Sequence, residues 1–248
     1  MSLQTIINHA ETLEIDRRRV VGVQFTRNEI AKTSETPTRN PWKFNVGISA
    51  ALVYSENRQL LEAIDLLDRT TPEIISFNSL TTSSVPGNLN YVGKTASAGL
   101  NYIFAYQGDV RLADGITPNY SLLNNMSVQS FNGNQLVLTT LPGAAQVTGG
   151  QNAIMFKAGD FIQIQGYPFP FTNRYDVKLG TGTSITLTTH RPNFITGNVV
   201  GAKINVGNQC QFQMFCQNMP TYKLTSGGPN AIINWSSEFK LYEYTGNA

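Results

Sequence analysis

The sequence predicts a mainly β protein of the α+β kind: strands packed with one helix, carrying an inserted small barrel or sandwich. Three observations predict it. Residues 42–50 alternate apolar and polar side chains with period two, the pattern of a strand with one buried face. Leu60, Leu61, Ile64 and Leu67 instead repeat at helical spacing, the mark of an amphipathic helix. Residues 127–201 consist of short apolar runs broken by Gly-rich turns, the spacing of a small barrel or sandwich.

Composition agrees with this fold class. Charged residues are 14 % of the 248 and hydrophobic residues 41 %, against about 25 % charged in ordinary globular chains. Asn, Thr, Ser, Gln and Gly carry the polarity, which suits strands and turns. It also suits subunit interfaces, whose cores are depleted in charge. The length allows one large domain or two modest ones, with about 70–75 % of the unfolded surface buried on folding. A net charge of +2 argues against nucleic-acid binding, which wants a clustered basic face. The one basic cluster, Arg17, Arg18 and Arg19, sits beside Glu11, Glu14 and Asp16.

The elements follow in order. Residues 18–27 alternate loosely and read as a strand, and 28–41 read as a polar loop ending in Thr-Arg-Asn-Pro. Trp42, Phe44, Val46, Ile48 and Ala50 then line one face, with Lys43, Asn45, Gly47 and Ser49 on the other. The helix is expected from Ser55 as N-cap, with Glu56 in the first turn, Arg69 in the last, and Pro72 stopping it. Ile74 and Ile75 start a possible strand, Thr81–Asn90 is turn-rich, and Tyr91-Val92 and Leu100–Tyr106 read as strands before the turn Asp114-Gly115.

The inserted unit, 127–201, offers strands at Ser127–Phe131, Leu136–Thr140, Ile154–Phe156, Asp160–Gln165, Tyr175–Lys178 and Ile185–Thr189, with a turn at Asn132-Gly133. Gly180-Thr181-Gly182 and Gly227-Gly228-Pro229 lie between strands and read as hairpin turns. The main domain is expected over 1–126 and 202–248, closing with strands at 210–216, Tyr222–Thr225, Ala231–Trp235 and Glu238–Tyr244. Its halves should meet near Asn125 and Ala202, leaving the insert separable.

Nothing in the sequence carries a catalytic or cofactor signature, so no catalytic, cofactor-binding or metal residue is assigned. Two histidines, His9 and His190, lie far apart without local partners, as a hydrolase triad or zinc site would require. Cys216 shares an apolar face with Cys210, Phe212 and Met214, which makes it a core residue rather than a nucleophile. Cys210 and Cys216 would stand roughly 20 Å apart along an extended strand, too far for a disulfide, which needs Cα atoms within about 7 Å. The carboxylate pairs Asp65/Asp68 and Glu11/Glu14 read as solvated faces. No apolar run reaches transmembrane length and the start, Met-Ser-Leu-Gln-Thr, lacks a secretory pattern, so a cytoplasmic site of synthesis and no membrane contact are expected.

Tyr167-Pro-Phe-Pro-Phe171 is the one unusual segment. Alternating Pro and aromatic residues make a stiff extended run. Tyr167, Phe169 and Phe171 are candidates for a peripheral docking contact or a sugar-stacking platform, against the alternative of a barrel edge closed by aromatic rings.

Three blocks carry a family resemblance: DRRRVVGVQFTRNE…TPTRNPWKFNVGISAALVYSENRQLLEAIDLLDR, KAGDFIQIQGYPFPF…TTHRP, and NMPTYKLTSGGPNAIINWSSEFKLYEYTG. In order and texture they resemble bacteriophage tail and baseplate ring proteins of the distal-tail or tube-initiator kind. The resemblance implies a tail-tube-like main domain, a split β-barrel or sandwich with one packed helix, with an OB- or SH3-like barrel inserted on its outside. It implies a virion protein, made in the host cytoplasm, forming a hexameric ring between the tail tube protein and the baseplate hub. DNA would pass through the lumen without specific binding. The charged segment and polar loop are then the expected subunit contacts, through Arg17, Arg18, Arg19, Asn28, Glu29, Thr36 and Arg39. The competing reading is a carbohydrate-binding module of a tail or surface protein. A glycan-degrading enzyme is a third, and would need carboxylates converging in a cleft.

Overall fold

A computed structural model describes residues 3–16, 21–25, 31–35, 40–48, 52–68, 71–77, 120–147, 149–225 and 231–246. The expected contact residues Arg17, Arg18, Arg19, Asn28, Glu29, Thr36 and Arg39 lie outside them. So do Arg69, the strands and turns expected between 81 and 115, and Gly227-Gly228-Pro229.

The chain opens with a helix the sequence reading missed, α1 (Leu3–Asn8), which buries Leu3, Ile6 and Ile7. Strand β1 (Ala10–Asp16) follows, a strand the sequence reading did not name. Strands β2 (Val21–Phe25) and β3 (Ala31–Glu35) pair with each other, Val21 opposite Glu35 and Phe25 opposite Ala31. The expected loop at 28–41 therefore contains a strand. Ala-Lys-Thr-Ser-Glu has no apolar alternation to announce it, because backbone pairing with β2 defines it.

Strand β4 (Lys43–Ile48) buries Phe44, Val46 and Ile48 and leaves Lys43, Asn45 and Gly47 half-buried, as the alternation requires. After β5 (Leu52–Val53) comes α2 (Arg58–Asp65). Its N-cap is Asn57 rather than Ser55. Residues 54–57 first make a tight turn, with the Asn57 N–H and side-chain amide both donating to the Val53 carbonyl. Leu60, Leu61, Ile64 and Leu67 are buried as expected.

Strand β6 (Glu73–Ser76) and a short helix α3 (Tyr120–Leu123) precede the second unit. That unit holds β7 (Ser127–Asn132), β8 (Gln135–Thr139), β9 (Ile154–Phe156), β10 (Phe161–Ile164), β11 (Phe171–Thr172), β12 (Val177–Lys178), β13 (Ser184–Thr188) and β14 (Ile204–Val206). The chain ends with β15 (Gln211–Asn218), β16 (Tyr222–Thr225), β17 (Ile232–Trp235) and β18 (Phe239–Glu243).

The main sheet is antiparallel, in the order β1-β4-β18-β15-β6, so strands from both ends of the chain interleave. A smaller sheet, β16-β17-β5, lies beside it. The second unit has three antiparallel sheets, β13-β8-β7, β11-β10-β14 and β12-β9. Single bridges, Ser127 to Lys203 and Asn173 to Thr189, join sheets of this unit, and no described sheet closes on itself as a barrel. Gly180-Thr181-Gly182 is not a hairpin turn: the strands around it, β12 and β13, pair with β9 and β8 instead of each other.

Two cores result. The first gathers Trp42, Phe44, Val46, Phe77, Phe212, Met214 and Phe239 with the apolar faces of α1 and α2. The second gathers residues from Leu123 to Val206. Ile204 and Val206, expected in the main domain, belong to this second core because β14 pairs with β10.

Candidate functional site

The Tyr167–Phe171 segment forms the seam between the two cores. Proline has no N–H, so Pro168 and Pro170 offer only carbonyls. The Pro168 carbonyl accepts from the Gln213 N–H of β15 at 3.1 Å. The Pro170 carbonyl accepts from the Trp42 indole at 2.8 Å and from Arg191 Nη2 at 2.8 Å. The aromatic residues between them point into the second core. Phe169 is 2 % exposed and Phe171 0 %, and their rings pack on Phe194 at 5.4 and 5.8 Å.

The expectation that Phe169 and Phe171 form a peripheral docking contact is therefore corrected. A carbonyl-only backbone faces one core, and that turns both rings into the other. Tyr167 is half-buried, packed against the second core and over Gly197, where a β-carbon would meet its ring.

At the centre of the seam lies an ion pair that sequence reasoning missed. Arg191 and Glu243 are both fully buried. The guanidinium grips the carboxylate with two bonds, Nη1 to Oε2 at 2.5 Å and Nη2 to Oε1 at 2.7 Å. The Trp42 N–H donates to Glu243 Oε2 at 3.0 Å, and the Asn40 carbonyl accepts from Arg191 at 3.4 Å. The Phe171 and Phe194 rings lie 5.1 and 4.7 Å from the guanidinium carbon, within cation–π range. Bidentate geometry and added donors are what a buried pair needs to offset desolvation. The signal in the sequence was Glu243 itself. It continues the inward register of Phe239 and Leu241, and a carboxylate facing a core demands a cation.

Beside the pair opens a cleft of about 490 Å³, whose lining includes Asn40, Thr172, Asn173, Arg174, Tyr175 and His190. His190 Nδ1 accepts the Thr172 N–H at 2.9 Å, which puts the proton of a neutral ring on Nε2. The Arg174 guanidinium donates to the His190 carbonyl at 2.9 Å. Tyr175, on the opposite rim, is 63 % exposed.

A second cleft, of about 670 Å³, lies between α1 and α2 and contains His9, Glu56 and Glu73. The His9 Nδ1–H donates to the Thr5 carbonyl at 2.8 Å, and the Glu73 carboxylate accepts the Leu3 N–H at 2.9 Å. Cys210 and Cys216 lie buried in the first core without a disulfide between them, and burial pushes the Cys210 thiol well above its ordinary range. Asp65 and Asp68 are exposed. Among the described residues no group of three or more His, Cys, Asp and Glu is arranged to hold a metal ion, and no helix is long and apolar enough to cross a membrane. No protein-family model matches the chain, and no curated protein matches it.

Proposed function

We propose that the chain is a structural component of a phage tail or baseplate, forming a hexameric ring that joins the tail tube to the hub or distal baseplate. The observation that carries this reading is the hairpin β2–β3. Among the described residues its strands pair only with each other, and a lone two-stranded hairpin is marginal in water. A neighbouring copy would supply the surface it lacks. Among the described residues the main sheet also ends on β1 and β6, and sheet edges present backbone groups to a neighbour. A head-to-tail contact repeated around an axis closes into a ring.

The finer architecture belongs to the same reading: a tail-tube-like main unit with an OB- or SH3-like barrel inserted in it. The single bridges support the barrel, since they link β7 to the β14 end and β11 to the β13 end, giving the cyclic order β7-β8-β13-β11-β10-β14. The partners in this reading are other copies of the chain, the tail tube protein and the hub, with DNA passing the lumen unbound and no membrane engaged. The chain carries no catalytic step and resides in the virion.

Electron microscopy and native mass spectrometry of the purified chain test the proposal. A closed ring of copies is expected, and a monomer that touches no copy of itself in the native particle overturns it. Reversing the charge of Arg17, Arg18 and Arg19 together is expected to weaken assembly in a salt-dependent way, with the urea midpoint unchanged.

A further inference from the structure

We propose that the cleft between Asn40 and Tyr175 binds an oligosaccharide. The proposal goes beyond the ring reading and is independent of it.

The first support is how Tyr175 is held. Its ring is exposed, yet the loop beneath it is tied at every residue from 173 to 176. The Asn173 amide donates to the Tyr175 carbonyl. The Arg174 N–H donates to the Thr188 carbonyl at 2.8 Å, and its guanidinium reaches across to the His190 carbonyl. The Asp176 carboxylate accepts the Ala158 N–H at 2.9 Å. A backbone fixed in advance leaves only the two torsions of the tyrosine side chain to be ordered on binding. Its apolar face suits the C–H face of a pyranose.

The second support is Asn173. It lines the cleft and is 2 % exposed, and its Oδ1 has no hydrogen-bond partner among the described residues. A buried acceptor left unmade is costly, and a ligand hydroxyl would supply its donor once the amide turned toward the cleft.

The backbone argues for the ligand class. Around the cleft the N–H groups are already used: Gly159 to the Asn173 carbonyl, Asn173 to the Asp160 carbonyl, Thr172 to His190 Nδ1, and His190 to the Thr172 carbonyl. A peptide adding as a strand would need such groups open. Recognition is left to side chains, chiefly the exposed Tyr175 ring with its hydroxyl and the exposed Arg174 guanidinium, groups that match a polyhydroxylated ligand. The volume lies within the range of about 300–1,000 Å³ usual for small-ligand sites.

The test applies the whole chain to an array of oligosaccharides built from hexoses, N-acetylhexosamines and uronic acids, with titration calorimetry on the hits. Saturable binding to at least one class is expected. Tyr175→Ala should weaken it about tenfold, the order expected for a lost aromatic contact, while Tyr175→Phe keeps it. Residue 175 is exposed, so both variants should unfold at the wild-type temperature. Binding to no class overturns the proposal, and so does binding that Tyr175→Ala leaves unchanged. Loss of ring assembly with binding intact would count against the ring alone.

Discussion

The two cores are made from different kinds of strand. In the first, the long strands turn one face inward: β4 buries Phe44, Val46 and Ile48, and β15 buries Phe212, Met214 and Cys216. In the second, the strands are short and local in sequence, and β10 buries all four of its residues. The two sides of β10 serve different cores. Phe161 packs on Trp42 at 4.9 Å in the first, while Ile162 and Ile164 lie in the second. Gln163, also buried, takes the Gln211 N–H at 2.7 Å and donates to the Tyr167 carbonyl at 2.9 Å. The two units thus share a strand as a common wall, where a flexible linker would have let them move apart.

The hardest test of that wall is to remove one side. Deleting 127–201 and joining the ends with a Gly/Ser linker takes away Phe161, Arg191 and the Pro170 carbonyl together. Trp42 would lose its indole acceptor, and Glu243 would stay buried without its cation. The remaining chain is expected to lose cooperative urea unfolding, a larger effect than any substitution below. A sharp transition near the wild-type midpoint would mean that the main unit holds a self-sufficient core.

The next test keeps both units and breaks the pair. Removing one partner of a buried ion pair costs about 3–5 kcal/mol, whereas replacing both with apolar residues of similar volume is often neutral. Arg191→Met and Glu243→Leu are each expected to lower stability by that amount. The double variant should recover most of the loss in urea titrations. Additive losses would show that Arg191 acts through the Pro170 carbonyl and the Phe171 and Phe194 rings rather than through Glu243.

How much of this was legible follows from the same contrast. β4 and α2 could be read because each has one buried face, so the period is written in the residue types. The α2 stripe was right to the residue, while its N-cap was two residues out because a turn at 54–57 precedes it. β3 could not be read, since Ala31–Glu35 shows no alternation of apolar and polar residue types. Tyr167–Phe171 was visible as unusual, but its residue types left open whether the rings faced outward or closed a core. Its exposure depended on Gln213, Trp42 and Arg191, which are distant in sequence. The Arg191–Glu243 pair spans 52 residues, and only the inward position of Glu243 hinted at it.

Single core truncations compare the two units directly. Phe44→Ala in the first core and Phe156→Ala in the second each empty a fully buried site and are expected to cost about 3–5 kcal/mol. Because β10 is shared, both should lower the same transition, seen alike by tryptophan fluorescence and by circular dichroism. Phe156→Ala shifting one probe and sparing the other would separate the cores.

The smallest effect on stability, and the sharpest on assembly, is expected at Ile74. It lies on β6, at the end of the main sheet, and is 55 % exposed while its neighbour Ile75 is fully buried. The edge itself is partly guarded: the Gln4 side chain of α1 satisfies both the N–H and the carbonyl of Ser76, each at 2.8 Å. A neighbouring copy approaching β6 would therefore meet side chains before backbone, and Ile74 first among the apolar ones. Ile74→Lys removes no core contact, so unfolding should change by less than about 0.5 kcal/mol. A lysine on an edge strand opposes pairing with another chain, and sedimentation should shift from ring to monomer. An unchanged ring would assign the contact to the opposite edge, β1, where among the described residues no side chain is seen capping the backbone as Gln4 caps Ser76.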